Sequence, residues 1–155
     1  MTSDVFITGT DTNVGKTVLS ALLVAALNRK YWKPIQTGAG EGTDREAVIK
    51  LAGIPPAQAY PESYIFDPPV SPHLAAKAQG TMIDLTKVQR PASEASIVIE
   101  GAGGVFVPIN DQAFMLDLMR HFSAPVILAT RTTLGTINHT LLSVFAIRDA
   151  ALPLQ

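Results

Sequence analysis

Short apolar runs rich in β-branched residues alternate along the chain with longer stretches of helical periodicity. "DVFIT" (4–8), "SIVIE" (96–100) and "PVILAT" (125–130) are apolar on successive positions, as strands covered on both faces are. "YWKPI" (31–35) reads as a further short strand, stopped by Pro34. Helical spacing predicts helices over 16–28, 44–52, 71–80, 113–122 and 136–150. The first is apolar nearly all round, so it is expected to be covered on most sides. The second is amphipathic and ends at Gly53, Pro55 and Pro56. The third has Ser71 as an N-cap candidate, Pro72 at its first position and Gly80 at its end. Residues 53–72 hold six prolines, two tyrosines and a phenylalanine. This predicts an ordered, irregular surface segment, because the aromatics need burial. Buried strands alternating with helices give an α/β fold: a three-layer α/β/α unit around a mainly parallel sheet. Ligands collect at the carboxyl ends of such strands, so the residues just after each strand are the ones to search for chemistry.

Composition narrows the possibilities. A chain of 155 residues reads as one domain, 1–155, with room for a real core. Lys and Arg number 12 against 13 Asp and Glu, so no basic excess favours nucleic acid or an anionic membrane. With no cysteine, disulfides, thiol nucleophiles and thiolate metal sites are excluded. "MTSDVF" lacks the basic start of a signal peptide, and "VLSALLVAAL" is too short to span a bilayer. A cytoplasmic protein is expected.

"GTDTNVGKT" (9–17) lies between a strand and a helix, the context that a phosphate-binding loop requires. Backbone N–H groups of Asn13, Val14 and Gly15 and the helix start from Lys16 to Val18 would form an anion cradle. Lys16 would reach the β- and γ-phosphates, and the Thr17 hydroxyl would ligate Mg²⁺. The strict pattern wants glycine six places before the lysine; Thr10 stands there, with Gly9 one place earlier. In "EGAGG" (100–104), Glu100 is a carboxylate ending a buried strand, costly unless paired. Magnesium would balance it, and the glycines would let backbone approach phosphate. The plainer alternative is an acidic strand end followed by a flexible loop. Asp44 is either the N-cap of its helix or a second carboxylate on the same ion. Lys33 ends a strand on the same rim, where its ammonium would hold an anionic substrate, with Thr37 close by; a surface lysine is the alternative. Gly135 and Thr136 in "LGTINHT" open a helix whose free N–H groups suit a carboxylate, or form an ordinary capped start. His73, His121 and His139 stand alone and read as structural.

"GTDTNVGKT", "YWKPIQTG", "SPHLAA", "EGAGGVFVPI" and "LGTINHTLLS" occur in the order and approximate spacing of the dethiobiotin synthetase family. The chain resembles that family through almost its whole length. The resemblance implies an ATP- and Mg²⁺-dependent cyclo-ligase of the P-loop NTPase fold, acting in biotin biosynthesis on 7,8-diaminopelargonate and CO2. It implies Lys33 and Lys16 as catalytic groups. Thr12, Thr37 and the partner chain's equivalents of Gly135, Thr136, Ile137 and Asn138 would bind substrate in a homodimer. The nucleotide site would comprise Asn13, Val14, Gly15, Lys16, Thr17, Val18, Asp44, Glu100, Gly101, Ala102 and Gly103, with Thr17, Asp44 and Glu100 on the metal.

Some relatives carry an acid at the place of Asn13, in a loop that acts mainly through its backbone. Family members usually continue well beyond "ALPLQ" into a further strand and an adenine-holding loop. The chain is therefore expected to lack the usual C-terminal portion, to form an incomplete sheet and to select weakly among nucleotides. A MinD/ParA-like nucleotide-switched ATPase shares the fold, but such proteins carry a lysine at the place of Asp11 and usually a membrane or DNA surface. An amidotransferase-type cobyrinate synthase domain would come with a glutaminase cysteine. An inactive remnant of the ligase would release no ADP in response to the diamine.

Overall fold

The computed structural model describes residues 4–155; residues 1–3, part of the stretch read for a signal peptide, lie outside them. In chain order the strands are β1 (Val5–Gly9), β2 (Lys30–Trp32), β3 (Ile35–Gln36), β4 (Ala59–Tyr60), β5 (Tyr64–Ile65), β6 (Ile97–Gly104) and β7 (Val126–Ala129). The helices are α1 (Lys16–Leu27), α2 (Asp44–Ala52), α3 (Pro72–Ala78), α4 (Met115–Phe122) and α5 (Thr136–Asp149). A five-stranded sheet runs β4-β2-β6-β1-β7, and every pair in it is parallel. This is the α/β fold of a P-loop NTPase.

Alternation along the strands divides the core in two. Phe6, Trp32, Ile97 and Ile99 face one side, where α3, α4 and α5 supply Ala75, Ala76, Met115, Leu118, Met119 and Ile147. Ile7, Tyr31 and Val98 face the other, against Ala21 and Val24 of α1 and Val48 of α2. The sheet is thus the middle of three layers. No helix among the described residues is long and apolar enough to cross a membrane.

Several boundaries differ from the sequence expectation. "YWKPI" is not one strand. Pro34 divides it into β2 of the main sheet and β3, which pairs with β5 in a separate two-stranded sheet. The freed Pro34 carbonyl accepts from Ser63 N at 2.8 Å and Tyr64 N at 3.0 Å. The proline-rich segment also supplies β4, which extends the main sheet beside β2. β6 does not stop at Glu100 but runs on to Gly104, so the glycines are strand and not a flexible loop. Helix α1 is not covered on most sides. Lys16, Ser20, Ala21 and Val24 are buried, whereas Val18, Leu22 and Leu27 are exposed, because its neighbours all pack against one face. Asp44 is not the cap of α2. Thr43 caps it, in a reciprocal pair with Glu46 that pulls the Glu46 carboxyl below its ordinary range.

Candidate active site

The loop after β1, the end of β2, the start of α2 and the middle of β6 enclose a cleft of about 690 Å³. The loop closes tightly on its own lysine. Lys16 is buried, and its ammonium donates to the Asp11 carbonyl at 2.7 Å. Burial lowers the Lys16 pKa, and the Lys33 charge lowers it further, against the pull of Glu100, Asp44 and Asp11. Gly9 makes this closure possible. A Cβ there would stand 2.6 Å from Val14 Cγ2 and 3.2 Å from Lys16 Nζ. The loop's first glycine is therefore Gly9, which accounts for Thr10 in the position where the strict pattern wants glycine.

Thr17 comes next, on the first turn of α1. Its hydroxyl lies 2.9 Å from Glu100 Oε1 and 3.0 Å from Asp44 Oδ1. One hydroxyl has one proton and cannot fully satisfy two carboxylate oxygens. Three hard oxygen donors brought this close, two of them anionic, fit a divalent cation that completes its coordination with phosphate and water. Glu100 is buried, and burial raises its carboxyl pKa; Asp44 adds to the rise, while Lys33 and the Thr17 hydroxyl oppose it. Ser20 also favours the charged form, yet its buried hydroxyl lies outside hydrogen-bonding geometry. The other Glu100 oxygen, Oε2, accepts from the Tyr31 hydroxyl at 3.0 Å. Burial and the neighbouring carboxylates push the Tyr31 hydroxyl well above its ordinary range, so it remains a donor.

Lys33 is not a surface lysine. It is buried on the rim and its ammonium pairs with Asp44 Oδ2. Asp44 is placed by its backbone as well, since its N–H donates to Gln36 Oε1 at 3.1 Å. Thr12, Asn13, Gly15, Val18, Thr37, Ala102 and Gly103 line the same cleft. Val14 turns its side chain toward Gly9. Gly101 faces away from the cleft: a Cβ there would meet Phe6 Cε1 at 2.9 Å and Met115 Sδ at 3.2 Å, so packing against α4 accounts for it. Thr12 and Thr37 also line an adjoining hollow of about 300 Å³ formed with residues 69–72. Gly135, Thr136, Ile137 and Asn138 lie outside both spaces, at the start of α5, with Leu134 and Ile137 exposed beside them. His73 contacts the Ser71 hydroxyl at 3.0 Å and His121 the Val88 carbonyl at 3.0 Å.

Three contributors had no motif to reveal them. Tyr31 reads as core in an apolar strand, and Gln36 as one polar residue in a loop. Arg131 lies just beyond β7; it pairs with Asp11 Oδ2 at 3.0 Å and donates to the Thr12 carbonyl at 2.9 Å, bracing the loop from outside. A cation just after a strand on the rim was the available signal.

A family model described as an AAA domain (AAA_26) matches residues 3–155. The chain is 49% identical over 154 residues to "ATP-dependent dethiobiotin synthetase BioD" of Rhodopseudomonas palustris (strain HaA2), covering 99% of this chain and 72% of that protein. It is 47% identical over 155 residues to the protein of the same name from Afipia carboxidovorans, covering 99% and 74%. The chain belongs to the dethiobiotin synthetase family. A third member, from Paramagnetospirillum magneticum, is 49% identical over 150 residues, covering 97% of this chain and 72% of its own. Members carry the name of an ATP-dependent ligase, and the family match takes in every element that builds the cleft.

Proposed function

We propose that this chain, as one ligase domain, uses ATP to convert 7,8-diaminopelargonate and CO2 into dethiobiotin. An amine of the substrate attacks CO2 and loses a proton, giving a carbamate. A carbamate oxygen attacks the γ-phosphorus, and the bond to the β,γ-bridging oxygen breaks to release ADP. The second amine then attacks the carbonyl carbon of the mixed anhydride, closing the ureido ring and expelling phosphate.

The observation that carries this reading is the placing of two buried ammonium groups, Lys16 and Lys33, on one rim beside Thr17, Asp44 and Glu100. Two cations in one cleft suit two anions: a triphosphate and a carbamate. Lys16 would cradle the phosphates and neutralise the transferring group. Lys33 would hold the carbamate in line with it, helped by the hydroxyls of Thr12 and Thr37. The substrate brings its own nucleophile, so positioning supplies most of the rate. Thr17, Asp44 and Glu100 would hold Mg²⁺, which when bound offsets charge on the phosphates. The apolar residues Leu134, Ile137, Leu141, Leu142 and Phe145 are exposed along and beside α5. They support a homodimer in which residues 135–138 bind the substrate carboxylate of the partner's site.

Diamine-dependent ADP release tests the reading. ADP should appear only when diaminopelargonate and CO2 are both present, with dethiobiotin formed in equal amount. Release that ignores the diamine would leave a nucleotide-switched ATPase as the better description.

A further inference from the structure

Tyr31 is fully buried on β2, two residues before Lys33. Its ring packs among Ile7, Ala21, Val24, Val48 and Val98, an environment that a phenylalanine would fill equally well. The hydroxyl is what sets it apart. It donates to Glu100 Oε2 at 3.0 Å, while Oε1 of the same carboxylate lies 2.9 Å from the Thr17 hydroxyl. A carboxylate held through one oxygen turns about its terminal torsion; held through both, it has one orientation. The two oxygens are thus divided, one toward the cleft and one toward the core.

We propose that Tyr31 is a positioning residue for the divalent cation: its hydroxyl anchors Glu100 Oε2, presents Oε1 beside Thr17 and Asp44, and thereby sets the affinity for magnesium in the nucleotide complex. This rests on the reading of Thr17, Asp44 and Glu100 as the magnesium site. Tyr31 itself touches neither nucleotide nor ion. Outer hydrogen-bond partners of metal-binding side chains typically govern affinity by 10–100-fold. The Tyr31 hydroxyl reaches the site through Glu100, the carboxylate to which it donates.

The test is ADP binding to the full chain, titrated with magnesium and repeated in excess chelator. Wild-type affinity should rise with magnesium. Tyr31→Phe should need roughly ten-fold more magnesium for half of that rise, with chelator affinity within about two-fold of wild type. In a Glu100→Gln background, Tyr31→Phe should change nothing further. A Tyr31→Phe titration that overlays wild type overturns the proposal, as does an equal loss with and without magnesium. A wild-type affinity that ignores magnesium overturns the underlying magnesium site instead, and this proposal with it. Should Tyr31→Phe fail to fold, 3-fluorotyrosine at position 31 keeps the ring and hydroxyl. Its ¹⁹F resonance should move when magnesium is added to the ADP complex, and a fixed resonance overturns the proposal.

Discussion

The ammonium of Lys33, the residue just after β2, pairs with the carboxylate of Asp44, the first residue of α2. The lysine side chain is 7% exposed and the aspartate side chain 30%. Both groups are claimed twice in the proposed reaction, Lys33 by the carbamate and Asp44 by the metal. In that reaction the ion pair would hold each in place until its other partner arrives. Lys33→Ala should therefore lower ligase turnover by about 10²–10³-fold or more, as losing a group that meets developing charge does. ADP affinity should stay within a few-fold, since Lys16 and the loop remain. Steady-state ADP release beside calorimetric ADP binding separates the two. Loss of both together would make Lys33 a structural residue.

Glu100 carries a stability penalty from its burial, at a position where the proposed reaction uses its charge. Its folded pKa lies above the ordinary 4.5, chiefly through burial. Below about pH 4.5 the side chain is neutral whether the chain is folded or not, and burial is then harmless. As the pH climbs through the raised value, the folded protein must hold a buried charge, and stability is lost. Glu100→Gln is expected to raise the Tm of the ligand-free protein near neutral pH, with the gain shrinking to nothing in acid. The same variant should lose the magnesium response of ADP binding. Thermal melts across pH check the first statement and calorimetry the second.

Gly9→Ala tests the loop. The added methyl must displace Val14, and the Lys16 ammonium stands close behind. Overpacking of this kind costs about 1–3 kcal/mol, and here it falls on the cradle itself. Nucleotide affinity should drop at least ten-fold, whereas Thr10→Ala should change it little. Calorimetric ADP titration of the two variants decides.

The exposed apolar side of α5 gives a further expectation. Phe145→Asp should convert a dimer to a monomer by light scattering. It should raise the KM for the diamine, because residues 135–138 would no longer reach a partner's cleft. ADP affinity should be unaffected. A variant that stays dimeric would exclude this face as the interface.

Local spacing made the core of the cleft legible in the sequence. Lys16 and Thr17 stand at fixed places between a strand and a helix, and Glu100 is an unmistakable charge in an apolar strand. The three-layer α/β fold is legible from the same alternation. The short strands were not legible, because β3, β4 and β5 are two residues long and prolines surround them. Only their partners make them strands. Tyr31 and Gln36 escaped for a similar reason. What distinguishes each is a hydrogen bond to a carboxylate or helix start that the sequence does not align with it. Asp44 suits a cap by residue type, but Thr43 with Glu46 three places on has the pattern of a reciprocal cap, and that pattern singles out Thr43.

Pleating makes β2 a ratchet with two settings. Tyr31 and Lys33 turn toward Glu100 and Asp44, while Trp32 between them turns to the opposite layer and stacks edge-on against Phe122. Gaining or losing one residue in the turn before Lys30 would advance the strand by a single notch. The indole would then turn to the side of α1 and α2, and phenol and ammonium would leave Glu100 and Asp44 together for the opposite layer.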